Sequence, residues 1–160
     1  MKNIIFRVLA TLGACFASPW AAWHEKRIRK KGRPLNSLEE QMAALLGLND
    51  PESLFVSDVE RVPNPLFPFF CLAEKCGFSC LTDVAGITLG RGIYVSRECM
   101  DSSALIAHEL VHIRQYQMAG SIWKFMVEYV HQTLMCGYYD APWEVEARSE
   151  ANRVMREITV

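Results

Sequence analysis

The sequence predicts an α+β fold: a small β-sheet or hairpin packs on a central helix, two more helices complete the C-terminal half, and a hydrophobic helix leads the chain. Three observations carry this. Apolar residues recur at helical spacing after residues 36, 102, 121 and 141, and a glycine-punctuated pair of β-prone runs occupies residues 84–95. Residues 4–23 form a stretch whose only charge is Arg7. With 160 residues and 51% hydrophobic content, the chain can bury one core and not two. Seventeen basic and eighteen acidic side chains leave a net charge of −1, which gives no basis for nucleic-acid binding.

The N-terminus divides into a hydrophobic segment (1–24), a basic linker (25–35) and the start of the main domain (36–160). Twenty predominantly apolar residues suffice to cross a bilayer. The cations that follow, Lys26, Arg27, Arg29, Lys30, Lys31 and Arg33, favour the cytoplasmic side. The expectation is a membrane-associated protein whose domain faces the cytoplasm in preference to the periplasm. Three other readings compete. A cleaved signal peptide fits the apolar run, although six cations just past the cleavage region are unusual for one. Leu12-Gly13-Ala14-Cys15 resembles a lipoprotein box with Cys15 as the lipidated residue. The segment could also lie along a membrane surface through Trp20 and Trp23, or pack on the domain.

Beyond Pro34, Asn36-Ser37 followed by Glu39-Glu40 starts a helix carrying Leu38, Met42, Leu45 and Leu46, and Gly47 with Asn49-Asp50-Pro51 ends it. Ser53 to Val62 reads as a strand. Pro63, Pro65 and Pro68 impose an extended or turning path. Of the six cysteines, Cys15, Cys71, Cys76, Cys80, Cys99 and Cys136, none forms the short pair of a zinc ribbon. Cys71, Cys76 and Cys80 fall in an apolar segment, where small buried hydrophobes are favoured over a disulfide or a metal site.

Val84 to Val95 reads as a hairpin turning at Gly90 and Gly92. Asp101-Ser102-Ser103 caps a helix that carries Leu105, Ile106, Leu110, Val111, Ile113 and Met118. Gly120-Ser121 interrupts it. A second helix follows with Ile122, Phe125, Met126, Tyr129, Val130 and Leu134, and Gly137 stops it. The last starts near Pro142, which suits a first helical turn, and runs through Glu144, Ala147, Ala151 and Met155.

The first of these three helices contains His108-Glu-Leu-Val-His112. Residues four apart share a helix face, so His108 and His112 can hold one ion, Zn2+ by this pattern. Glu109, rotated about a quarter turn by the helical period, stands beside the metal as a general base. A catalytic zinc takes a third protein ligand and keeps one position open. The metzincin continuation is excluded by Gln115 and Met118. Candidates for the third ligand are Glu144, Glu146, Asp140 and His131, the last more simply a half-buried histidine on an aromatic-rich face. Gln115 and Glu146 are candidates to orient the ligating imidazoles. Tyr116, Tyr138, Tyr139 and Arg148 are candidate donors to a developing oxyanion.

Ala141-Pro-Trp-Glu-Val-Glu-Ala-Arg148 resembles the third-ligand helix of gluzincins, in which a Glu is followed three residues later by Ala; the resemblance implies Glu144 as ligand. Gly137-Tyr-Tyr-Asp140 loosely resembles the aspzincin signature. Together with Ala85-Gly-Ile-Thr-Leu-Gly-Arg-Gly-Ile-Tyr-Val95 and Ala104-Leu-Ile-Ala-His-Glu-Leu-Val-His-Ile-Arg-Gln-Tyr116, these residues are similar to the core of small bacterial zincin-type metallopeptidases over residues 84–150. The resemblance implies a zincin-like fold, peptide-bond hydrolysis and a bacterial origin. It also implies an edge strand, Gly92, Ile93, Tyr94 and Val95, that pairs with an extended polypeptide substrate. A zinc amidase, or a metal-holding binding or toxin-associated module with little catalysis, are the alternatives. Glu109 argues against the latter, because a structural site needs no acid–base residue.

Overall fold

The computed structural model describes residues 2–63 and 84–159. Among them it places α1 (Lys2–Lys31), β1 (Arg33–Pro34), α2 (Ser37–Leu45), β2 (Phe55–Val59), β3 (Gly86–Leu89), β4 (Gly92–Ser96), α3 (Ser103–Ala119), α4 (Ile122–Cys136) and α5 (Pro142–Thr159). The expectations for Pro65, Pro68, Cys71, Cys76 and Cys80 lie outside the described residues.

Local chemistry sets the helix ends. Asn36 accepts from the Glu39 amide at 2.9 Å while the Glu39 carboxylate accepts from the Asn36 amide at 2.8 Å, a reciprocal cap on α2. Arg33 then bridges the same carboxylate with two 2.7 Å hydrogen bonds. Ser102 caps α3 and Ser121 caps α4 through their side chains. Gly120 ends α3 with φ +77°, a left-handed conformation that costs glycine little.

The strands form one mixed sheet in the order β1-β2-β4-β3. β1 and β2 are antiparallel, β2 and β4 parallel, and β3 and β4 antiparallel. Leu89 pairs with Gly92 across a two-residue turn. Gly90 has φ +64° at its first central position, where a type II′ hairpin favours glycine.

Two expectations are corrected here. Gly92 to Val95 is not an edge strand: β4 has β2 on one side and β3 on the other, so its backbone groups are already paired. Among the described residues the sheet has two edge strands, the two-residue β1 and β3. The stretch 25–35 is also no linker. Residues 25–31 are the last turns of α1, and residues 33–34 are the first strand.

Alternation along β4 explains the layering. Ile93 and Val95 face one core with Val56 of β2, Met42 of α2, Ile106, Leu110 and Ile113 of α3, and Ala147, Ala151 and Val154 of α5. Tyr94 faces a second core, shared with Ala14, Ala17, Ala21 and Ile28 of α1 and with Phe125 and Met126 of α4. The sheet is therefore covered on both faces, and α1 is half of that cover. Glu25 secures it by accepting from the Arg91 amide in the hairpin turn at 2.9 Å.

α1 approaches the sheet closely at Gly92, where an added Cβ would lie 2.8–2.9 Å from three carbons of Ile28. Gly92→Ala is expected to destabilise the domain by about 1–3 kcal/mol through overpacking. Ile28→Ala in the same chain should recover part of that loss, because the clash is between these two residues. Urea unfolding of the two single variants and the double variant measures this; additive losses would mean that the contact does not limit the packing.

Candidate metal centre

Positions 108 and 112 of α3 share one helix face, and both imidazoles reach the same point. The two Nε2 atoms lie 3.1 Å apart. Glu144, in the first turn of α5, presents Oε2 to His108 Nε2 and Oε1 to His112 Nε2, each at 3.4 Å. His108, His112 and Glu144 thus form a group that could hold a metal ion. Ligands about 2.0–2.1 Å from a tetrahedral ion are separated by ~3.3 Å, which these spacings match.

The hydrogen bonds fit the same use. Gln115 directs its amide nitrogen at two acceptors, Trp143 O at 3.0 Å and Glu146 Oε2 at 2.8 Å. Its Oε1 must therefore face His112 Nδ1, at 2.8 Å. That nitrogen donates to Gln115, so Nε2 is the one aimed at the cluster, where its lone pair serves a metal once the ring is neutral. Glu144 Oε2 is buried and accepts no hydrogen bond among the described residues. A carboxylate oxygen in that condition is costly without a cation.

Glu144 Oε1 accepts a 2.6 Å hydrogen bond from the Tyr129 hydroxyl. Arg148, one turn further along α5, lies 3.9 Å from Oε2. Burial pushes the Glu144 pKa up, but the facing His108 and His112 imidazoles and the Tyr129 hydroxyl pull it well below the usual carboxylate range. Burial pulls the His112 pKa down; the Glu144 carboxylate, the Glu109 charge and Gln115 more than offset this, so its net shift is upward. The Tyr138 phenol is pushed up, first by burial and then by the Glu144 charge.

The other sequence candidates separate cleanly. Glu146 is bound by Arg114 at 2.8 Å and by Gln115, and so backs the centre without joining it. Asp140 is exposed at the start of α5 and outside the cluster. His131 hydrogen-bonds Asn3 at 2.9 Å on the far side of α4. Of the proposed oxyanion donors, Tyr116 is stacked on Phe125 at 3.6 Å in the core facing α1, and Tyr139 is largely exposed. Tyr138 and Arg148 are the two beside Glu144.

Glu109 is buried, and its surroundings hold what the sequence did not reveal. Thr88 Oγ1 of β3 lies 2.7 Å from Glu109 Oε2 and 2.9 Å from Glu109 O. Gly86, two residues earlier on the same strand face, would place a Cβ 2.8 Å from Glu109 Oε1. A small residue and a hydroxyl on alternate positions of a strand were the only advance signal. Tyr129 gave none beyond its place on a helix.

Two outcomes follow from these contacts. Gln115→Leu should weaken metal affinity about 10–100-fold in a competition titration while the fold survives; unchanged affinity would deny Gln115 its orienting role. In the metal-free protein, the raised His112 pKa contributes stability that is complete below about pH 6.5 and lost as pH rises through the folded value. The depressed Glu144 pKa contributes stability that is complete above about pH 4.3 and lost as pH falls. Tm of the metal-free chain should accordingly drop as pH rises above about 6.5, more than in Glu144→Gln.

No protein-family model, curated protein or solved structure matches the chain.

Proposed function

We propose that the chain is a zinc-dependent peptidase, with His108, His112 and Glu144 as the metal ligands. The observation that carries this reading is the closure of two imidazole nitrogens and a buried carboxylate to 3.1–3.4 Å, the edge lengths that a tetrahedral ion requires. Zinc bound there supplies Lewis acidity, polarising a carbonyl and bringing the pKa of a water near neutrality.

The rest is the work of the chain. Glu109 takes the proton of the attacking water on its carboxylate and passes it to the leaving amine. Thr88 fixes the rotation of that carboxylate from one side, and Gly86 leaves room for it on the other. Tyr129 and Gln115 hold Glu144 and His112 in their orientations. Of the candidate donors, Tyr138 and Arg148 are the two beside Glu144 and donate to negative charge as it develops.

A polypeptide is favoured as substrate by the position of β3. Its outer side has no strand partner among the described residues, and its inner side is bonded to β4. Thr88 ties this strand directly to Glu109, so an extended chain added to the free edge would pass beside the base. The length and apolar composition of α1 suffice to cross a membrane. On this reading the protein is membrane-associated, with the basic end of α1 and the catalytic domain towards the cytoplasm.

Glu109→Gln should keep stoichiometric zinc and lose peptide hydrolysis by several orders of magnitude, whereas Glu144→Ala should lose the zinc itself. Metal analysis and a peptide-library assay, before and after chelation and zinc return, test both. Retained turnover in Glu109→Gln would remove the base, unchanged zinc in Glu144→Ala would remove the ligand, and inertness of the zinc-loaded wild type on all peptides would remove the peptidase reading.

A further inference from the structure

The helix α1 is built inside out. In a helix packed on a water-soluble domain, large apolar side chains face the core and polar ones face water. Here the buried positions of the N-terminal half are Ala10, Ala14, Ala17 and Ala21, each 0–4% exposed. The opposite arc carries Ile4, Ile5, Val8, Leu12, Phe16 and Trp23, each 54–76% exposed. The small residues are buried against protein, and these large ones are more than half exposed.

This is the distribution of a helix between protein and lipid, where small side chains permit close helix packing and large apolar ones meet acyl chains. The polar groups of the segment agree. Arg7, its only charge, pairs with Glu128 of α4 at 2.8 Å. Asn3 bonds His131 of α4 at 2.9 Å, and the Thr11 hydroxyl donates to the Arg7 carbonyl in its own helix. Each has a partner on α4 or within α1, and the Arg7 side chain stays half-exposed at the flank of the contact.

Dimensions and charge identify the occupant. Ile4 to Trp23 covers twenty residues, about 30 Å of continuous apolar helix surface. The next residues on the outward arc are Lys26, Arg27 and Lys30, all exposed. The Arg27 guanidinium lies 5.5 Å from the Trp23 ring centroid. An aromatic ring followed at once by cations is the sequence of environments at a headgroup layer, with anionic lipid as the complementary partner.

We propose that the outward face of α1 is covered by lipid acyl chains while its inward face remains part of the folded domain. The protein is then docked rigidly on the membrane, not tethered to it. Removal of α1 as a leader would strip Ala14, Ala17, Ala21 and Ile28 from the core shared with Tyr94, Phe125 and Met126. The metal centre is correspondingly near the bilayer. One side of α4 packs on α1, and from the same helix Tyr129 reaches Glu144, so two helix layers, α1 and α4, separate the centre from the lipid. The substrate class is a polypeptide at the point where it enters or leaves the membrane; this last step rests on the peptidase reading, and the docking does not.

The test is flotation of the full chain with vesicles of phosphatidylcholine and phosphatidylglycerol, with intact mass measured on the floated protein. The wild type is expected to float with α1 present, and Leu12→Lys/Phe16→Lys to stay in the aqueous fraction at least tenfold more, with its zinc and its circular dichroism unchanged. Ala14→Leu/Ala17→Leu, on the inward face, should still float but lose thermal stability. The proposal is overturned by a wild type that remains aqueous, whether as monomer or as a stable dimer through α1, by a floated chain that lacks α1, or by Leu12→Lys/Phe16→Lys floating like the wild type. Loss of flotation with intact peptide hydrolysis would reject the docking alone; flotation without hydrolysis would reject the peptidase.

Discussion

The candidate metal centre depends on one carboxylate, that of Glu144, being buried and facing two imidazoles. An isolated charge in such a place costs several kcal/mol. Here it is offset from every side: His108 and His112 face its two oxygens, Tyr129 donates to one of them, and Arg148 approaches the other. For the carboxylate to arrive at all, α5 must lie close against α3. Small, fully buried Ala107 and Ala147 belong to the core where these helices meet. The alanine three residues after Glu144 is thus a steric condition for the charge.

Support for the centre comes from elements distant in sequence. Thr88 on β3 meets Glu109 across 21 positions, and Gln115 meets Glu146 across 31. The backing continues outward, since Arg114 bonds both Glu146 and Glu150. A line of alternating amide, carboxylate and guanidinium groups therefore holds the His112 ring from behind. Polar networks of this kind favour one arrangement only when each member is satisfied, and this one mostly is.

How much of this was legible in the chain depends on the range of the interaction involved. Helix starts at Asn36, Ser102 and Ser121 and the turn at Gly90 are decided by neighbours within four residues, and they stand where the local pattern places them. The His108–His112 pairing is equally local. Which strand lies beside which is not. Gly92 to Ser96 and Gly86 to Leu89 look alike as β-prone runs, and only the parallel pairing with β2, about forty residues earlier, makes β4 interior and β3 an edge. The basic run 26–31 has the composition of a solvated linker, yet Ile28, buried against Gly92, keeps it helical. Tyr129 and Thr88 carry no pattern of their own, because their roles exist only once α4 and β3 are in place.

The partnership of α1 with α4 has a consequence in time. Arg7 and Glu128 are 121 positions apart. At ~5–20 residues per second, the first helix leaves the ribosome roughly 6–24 s before its protein partner exists. Throughout that interval both its alanine stripe and its large apolar face are without their final neighbours. A bilayer that takes the large apolar face at once would shelter the nascent chain and leave the alanine stripe waiting in the correct orientation. The membrane would then act as a template on which the rest of the domain condenses.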